Sequence, residues 1–273
     1  MTSLTSTGTT HVPPYRRAVA PDPSVAAVPF SRLLRVELRK LVDTRAGFWL
    51  LASIGAITAV VVLVFLLAAD PDQLTFINFV GATATPQSLL LPVLGILAVT
   101  SEWSQRTGLV TFTLEPNRAR TAVAKLAAVL LVGLLAVVLA LGVAALGNLA
   151  GLLVMDGAGT WNMGAANVRD FFLLQLIGLL QGFAIGMLLM NTAAAIVLYY
   201  VLPIAWSVLF TMVGALEGVA PWLDLNTAIA PAFDQQTFRG DDWLHIAVAG
   251  TIWVLVPFAL GVVRLLHREV KST

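Results

Sequence analysis

The chain has 273 residues, 58% of them hydrophobic and 11% charged, with a mean hydropathy of +0.88. Soluble domains carry roughly 25% charged residues, so this composition points to an integral membrane protein. A net charge of +1 offers nucleic acid no bulk attraction, and the absence of cysteine excludes disulfides, thiol catalysis and thiolate metal sites.

Residues 1–29 are rich in Thr, Ser, Pro and Ala without helical periodicity, which predicts a disordered cytoplasmic tail. No signal peptide is expected, because the first apolar run begins only near Gly47 and is too long for a cleaved segment. Over residues 30–46, Phe30, Leu34, Leu38, Leu41 and Val42 recur at helical spacing with Arg32, Arg35, Arg39 and Lys40 largely opposite. This predicts an amphipathic interfacial helix with Ser31 as its N-cap and its basic face toward headgroups or a partner. Glu37 falls on the edge of the apolar face rather than among the bases, at i, i+3 spacing for a surface pair with Lys40.

A six-span all-α domain is predicted over residues 47–264, with spans at about 47–69, 79–101, 122–146, 171–190, 193–216 and 243–263. The first has no charged residue and reaches roughly 34 Å as a helix. Pro86 and Pro92 interrupt the second, and the freed carbonyls need protein neighbours, which places that helix inside the bundle. Gly133, Ala136, Ala140 and Ala144 form a small-residue stripe on the third, and residues 148–170 read as an outer loop.

The fourth span carries Gly178, Gly182 and Gly186, a small-xxx-small spacing for close helix packing. Its Gln175 and Gln181 either line a substrate path or bond to a neighbouring helix. After the fifth span, residues 218–233 are too short and polar to cross, which predicts a re-entrant or surface-lying outer hairpin before the last helix. Residues 265–273 read as a cytoplasmic tail. With both termini inside, every one of the 16 basic residues except Arg169 and Arg239 lies on the cytoplasmic side, as the positive-inside bias requires.

Between the second and third spans lies the polar segment SEWSQRTGLVTFTLEPNRARTAVAK, residues 101–125. Glu102 and Trp103 end one helix, Thr107 follows five residues after the acid, Pro116, Arg118 and Arg120 form a Pro-x-Arg-x-Arg element, and Lys125 opens the next helix. This pattern, together with the amphipathic first helix, the number of spans and the outer hairpin, resembles the permease subunits of type-2 ATP-binding-cassette (ABC) exporters over about 240 residues. The resemblance implies a plasma-membrane efflux subunit working with two copies of a separate ATPase subunit and a second permease chain, the same or related. It further implies that Glu37, Glu102, Arg106, Thr107, Pro116, Arg118, Arg120 and Lys125 couple the membrane helices to that ATPase, with Glu102 and Arg106 pairing with its surface. ATP and magnesium would reside on the partner, with no cofactor in this chain.

The source of energy is argued separately from the residues. None of the six spans has an Asp, Glu, Lys or Arg in its central part, which disfavours an ion-coupled transporter. Lys40, Lys125 and Lys271 are none of them preceded by Gly, so no P-loop exists and a pump would need a separate ATPase. A membrane enzyme is the second class, with Asp241 and His245 as an incomplete two-ligand metal pair. A scaffold or sensor without transport is the third.

Overall fold

The computed structural model of the chain describes residues 28–104 and 117–267. Among these residues there are helices and no strands. Six helices are long and apolar enough to cross a membrane: α2 (Arg45–Ala68), α3 (Phe76–Ser104), α4 (Arg118–Val154), α5 (Ala165–Leu189), α6 (Thr192–Met212) and α9 (Asp242–His267). Helix α1 (Phe30–Asp43) precedes them, and the short α7 (Ala220–Leu223) and α8 (Leu225–Phe233) lie between α6 and α9.

Local chemistry sets the ends of these elements. Pro29, not Ser31, occupies the N-cap position of α1, and no side chain caps it. Thr44 is extended, at φ −76° and ψ 142°, and its hydroxyl accepts from the Gly47 amide at 3.2 Å, so α1 stops and α2 starts across a single residue. A Cβ on Gly47 would lie 1.9 Å from the Leu41 carbonyl oxygen, so only glycine fits this corner. At the α5–α6 turn, Met190 takes the left-handed conformation at φ 50°, and the Asn191 side chain caps α6 by accepting from the Ala194 amide.

The structure differs from the predicted spans mainly at the end of the bundle far from α1. Helix α4 has 37 residues, which at 1.5 Å each is roughly 55 Å and longer than a hydrocarbon core of roughly 30 Å. It absorbs Asn148, read in the sequence as the start of an outer loop. That side chain is buried because its amide donates to the Gly159 carbonyl at 3.3 Å, so a polar residue sits inside the helix and the loop shrinks to residues 155–164. The shortened loop folds back onto the α2–α3 connection: Ala158 and Gly159 donate to Pro71 and Leu74, and Phe76 donates to Thr160. Helix α9 likewise continues through residues 265–267, which the sequence reading gave to the tail, and contains a π-helical turn at Thr251–Leu255.

Helices α3 and α5 form the centre. In their most apolar stretches 61% and 56% of residues are buried, against 28% or less in the other four. Glycines on both helices permit this approach. A Cβ on Gly95 of α3 would lie 2.5 Å from the Leu179 carbonyl oxygen, and one on Gly182 of α5 would lie 2.2 Å from the Pro92 carbonyl oxygen. A Cβ on Gly186 would lie 3.0 Å from the Ile96 Cα, while one on Gly178 would meet only ordinary contacts at 3.4 Å and beyond. Phe79, Leu91, Leu94, Leu179 and Phe183 fill the core around this pair.

Candidate functional site: a buried ring of four charges

Four ionisable side chains from three helices meet at the end of the bundle where α1 lies. Glu37 and Lys40 come from α1, Glu102 from the last turn of α3, and Lys125 from the second turn of α4. The Lys40 ammonium donates to Glu37 Oε1 and to Glu102 Oε1, both at 2.7 Å. The Lys125 ammonium donates to Glu37 Oε2 at 2.7 Å and lies 3.0 Å from Glu102 Oε1. Each carboxylate therefore faces two ammoniums and each ammonium two carboxylates, a ring of four mutual contacts.

Burial makes the ring a structural commitment. Glu37, Glu102 and Lys125 are 6%, 4% and 6% exposed. Charges withdrawn from water this far persist only when paired and hydrogen-bonded. Lys40 retains more contact with water, and there burial disfavours the ammonium while Glu102 and Glu37 favour it; the carboxylates win and hold its pKa above the ordinary lysine value. A 170 Å³ cavity adjoins the ring, with Ser101, Ser104 and Thr192 among its polar walls.

The two arginines of the Pro-x-Arg-x-Arg element tie further chain ends to this region. Arg118 donates from Nη1 to the Leu265 carbonyl at 2.9 Å, joining the start of α4 to the last turn of α9, where a cation suits the exposed carbonyls. Arg120 donates from Nη2 to the Val28 carbonyl at 2.7 Å, just before α1. The Asn117 side chain caps α4 by accepting from the Arg120 amide. At the same end, the Thr192 hydroxyl of α6 donates to the Thr100 hydroxyl of α3 at 2.8 Å, and Arg264 bonds the Leu188 carbonyl of α5.

No protein-family model matches the chain, and no curated protein is similar to it at a significant level. Its function is therefore read from the site and the sequence pattern alone.

Of the residues singled out in the sequence for coupling, Glu37, Glu102 and Lys125 converge in the ring, and Arg118 and Arg120 brace its surroundings. Arg106, Thr107 and Pro116 lie outside the described residues. Glu102 meets two ammoniums of its own chain, Lys40 at 2.7 Å and Lys125 at 3.0 Å. Lys40 was not among the coupling residues read from the sequence, and its i, i+3 spacing from Glu37 was the available signal; the pair forms, but joined to α3 and α4 rather than alone on the surface.

Gly178, Gly182, Gly186 and Gln175 belong to the α3–α5 contact. Gln175 donates to the Ala84 carbonyl at 3.2 Å and so bonds a neighbouring helix. Gln181 lines a 270 Å³ cavity shared with Tyr199, Tyr200 and Asn226. The His245 ring packs edge-on to Trp222, with centroids 4.5 Å apart, and among the described residues no three His, Cys, Asp or Glu side chains cluster to hold a metal.

Proposed function

We propose that the chain is the membrane-spanning permease subunit of a type-2 ABC exporter, moving an amphipathic or lipophilic substrate outward and driven by a separate ATPase chain. The observation that carries this reading is the ring, which fastens α1 to both ends of the polar segment between α3 and α4. Whatever pushes on α1 or on that segment pushes on the same four charges. In this reading α1 is the amphipathic interfacial helix, and its exposed Arg32, Arg35 and Arg39 present the surface that a partner or anionic headgroups meet.

Two such permeases, identical or related, sit over two ATPase subunits that carry the ATP and magnesium. Closure of the ATPase subunits displaces α1 and the 105–116 segment, and the spans shift as rigid bodies. Ring residues act as positioning groups inside the permease, and pairing with the ATPase falls to the exposed bases. Residues 214–241, with α7 and α8, form the re-entrant or surface-lying outer element, both termini are cytoplasmic, and the protein resides in the cell membrane.

The test is copurification in mild detergent followed by reconstitution of the purified complex. An ATPase subunit retained through purification, with hydrolysis stimulated by exported substrate, supports the reading. Solute movement by this chain alone in liposomes on an ion gradient refutes it, and a complex whose hydrolysis ignores every substrate points to a non-transporting scaffold.

A further inference from the structure

A second feature lies away from the ring, among α3, α5, α6 and α8: the 270 Å³ cavity that Gln181 lines. Gln181 is 6% exposed, yet its carboxamide has no hydrogen-bond partner among the described residues. Unlike the side-chain carbonyl oxygens of Gln87 and Gln175, which are sealed in packing, neither polar atom of Gln181 is fully enclosed, and the space beside it is this cavity. On α6, the Tyr199 hydroxyl likewise has no hydrogen-bond partner among the described residues. It lies against α5, 3.4 Å from where a Cβ on Gly178 would be. Gly178 and Gln181 are three apart on α5 and so share a face, which brings the phenol and the carboxamide to one space.

The other walls decide what fits there. The Tyr200 and Ser88 hydroxyls are already committed, donating to the Leu89 and Thr85 carbonyls. No Asp, Glu, Lys, Arg or His lines the cavity, and Leu89 and Ile204, which do, are also exposed on the outside of the bundle. At 1.5 Å per residue Gln181 lies roughly 12 Å from the end of α5, so under the membrane-spanning reading its amide sits inside the hydrocarbon layer. A buried polar group left unpaired there is costly, and it calls for a ligand that supplies the missing bonds.

A carboxamide offers donors and an acceptor, and a phenol offers one of each. The complement is a group that carries both on neighbouring atoms and no charge. A carboxylate brings no donor and an ammonium no acceptor, and either would enter the site without a counter-charge. An ester accepts but donates nothing. We infer that this cavity binds the uncharged head of an amphipathic molecule, one with a donor and an acceptor side by side as in a primary carboxamide, its apolar part leaving past Leu89 and Ile204. The inference deepens the proposed function by naming the head group of its substrate; export of the ligand rests on that reading, whereas binding needs only this chain.

The test uses the full-length protein in phosphatidylcholine liposomes, with flotation reading membrane placement separately. Four probes share one long alkyl tail with a diazirine beside the head, which is a primary amide, a methyl ester, a sulfonate or an amine, and labelled peptides are mapped after illumination. The amide is expected to label residues 174–181 and 199–204 several-fold above the other three. Gln181→Leu removes the carboxamide at similar volume and lowers amide labelling at least five-fold, the value of one hydrogen bond. It leaves the thermal midpoint unchanged or higher, because Gln181 bonds nothing in the protein. Tyr199→Phe lowers amide labelling about five-fold. Equal labelling by all four heads, as a cavity holding only water would give, overturns the inference, and so does amide labelling that survives both substitutions or no labelling of these segments. Selective amide labelling beside an ATPase complex whose hydrolysis ignores the amide leaves the site standing and counts against export.

Discussion

Replacing Lys125 by Met tests whether the charge ring is one cooperative unit. In the intact ring the four contacts are 2.7, 2.7, 2.7 and 3.0 Å, and each carboxylate has two cations. Without Lys125, Glu37 and Glu102 each lose one of the ammoniums that lie within 3.0 Å of them, on groups 6% and 4% exposed. Removing one partner of a buried pair costs about 3–5 kcal/mol. At roughly 2–4 °C per kcal/mol, as for soluble domains of this size, the unfolding midpoint falls by about 6–20 °C.

Glu102→Gln leaves an excess positive charge and costs less, because Lys40, with its side chain 37% exposed, draws on water. The double variant loses one charge of each sign and keeps the Glu37–Lys40 pair, so its loss falls short of the summed single losses by about 1–3 kcal/mol. The assay is tryptophan fluorescence of the purified protein in detergent, heated at one fixed rate; the chain has 7 tryptophans. Additive losses, or a Lys125→Met protein as stable as the parent, would refute the ring as a coupled unit.

Other outcomes follow from the same geometry. Gly182→Ala places a methyl 2.2 Å from a carbonyl oxygen of α3 and destabilises by about 1–3 kcal/mol, because both sides of the clash are backbone. Gly178→Ala meets only contacts of 3.4 Å or more and leaves stability unchanged or raised by up to about 1 kcal/mol; thermal scans of the two side by side decide. Lys40 has a raised pKa in the folded state, so its contribution is complete below the unfolded lysine value of about 10.4 and disappears as pH rises through the folded value. The stability difference between the parent and Lys40→Met is therefore constant from pH 6 to 9 and shrinks only in strong alkali, as a pH series of melts would show. The cysteine-free background permits the proposed orientation to be read directly: with both termini cytoplasmic, as proposed, an impermeant maleimide on intact cells modifies Asp72→Cys, and modifies Arg35→Cys only after permeabilisation.

The apolar lengths of the spans were legible because a bilayer core sets the number of apolar residues that a crossing helix needs. Their ends were less so. Asn148 looked like a loop residue because an unpaired amide is costly in an apolar helix, but its partner, the Gly159 carbonyl, exists only once the loop has folded back. Glu37 was flagged by its place at the edge of the apolar face, yet it also bonds Lys125, 88 residues away, while Lys40 bonds Glu102, 62 residues from it, and helical periodicity carries no information about such distant partners. The glycine spacing on α5 announced a close contact without naming α3 as the partner. Gln175 and Gln181 were indistinguishable in the sequence, and only the folded positions separate a helix-bonding amide from a cavity-lining one.

The ring bears on how force would travel under the proposed function. Four well-packed apolar residues in its place would be about as stable or more so, since desolvation of buried charges consumes much of their mutual attraction. What the charges add is register: apolar surfaces slide, whereas a ring with contacts of 2.7 to 3.0 Å has one arrangement. A displacement of α1 that left α3 behind would have to break bonds on both sides of the ring and strand charges in a dry site. It is less costly for α1, the end of α3 and the start of α4 to move together. Helix α3 is in turn held to α5 by backbone approaches at Gly95 and Gly182 too close to admit a methyl group. A push delivered at α1 would therefore reach the centre of the bundle as a rigid displacement.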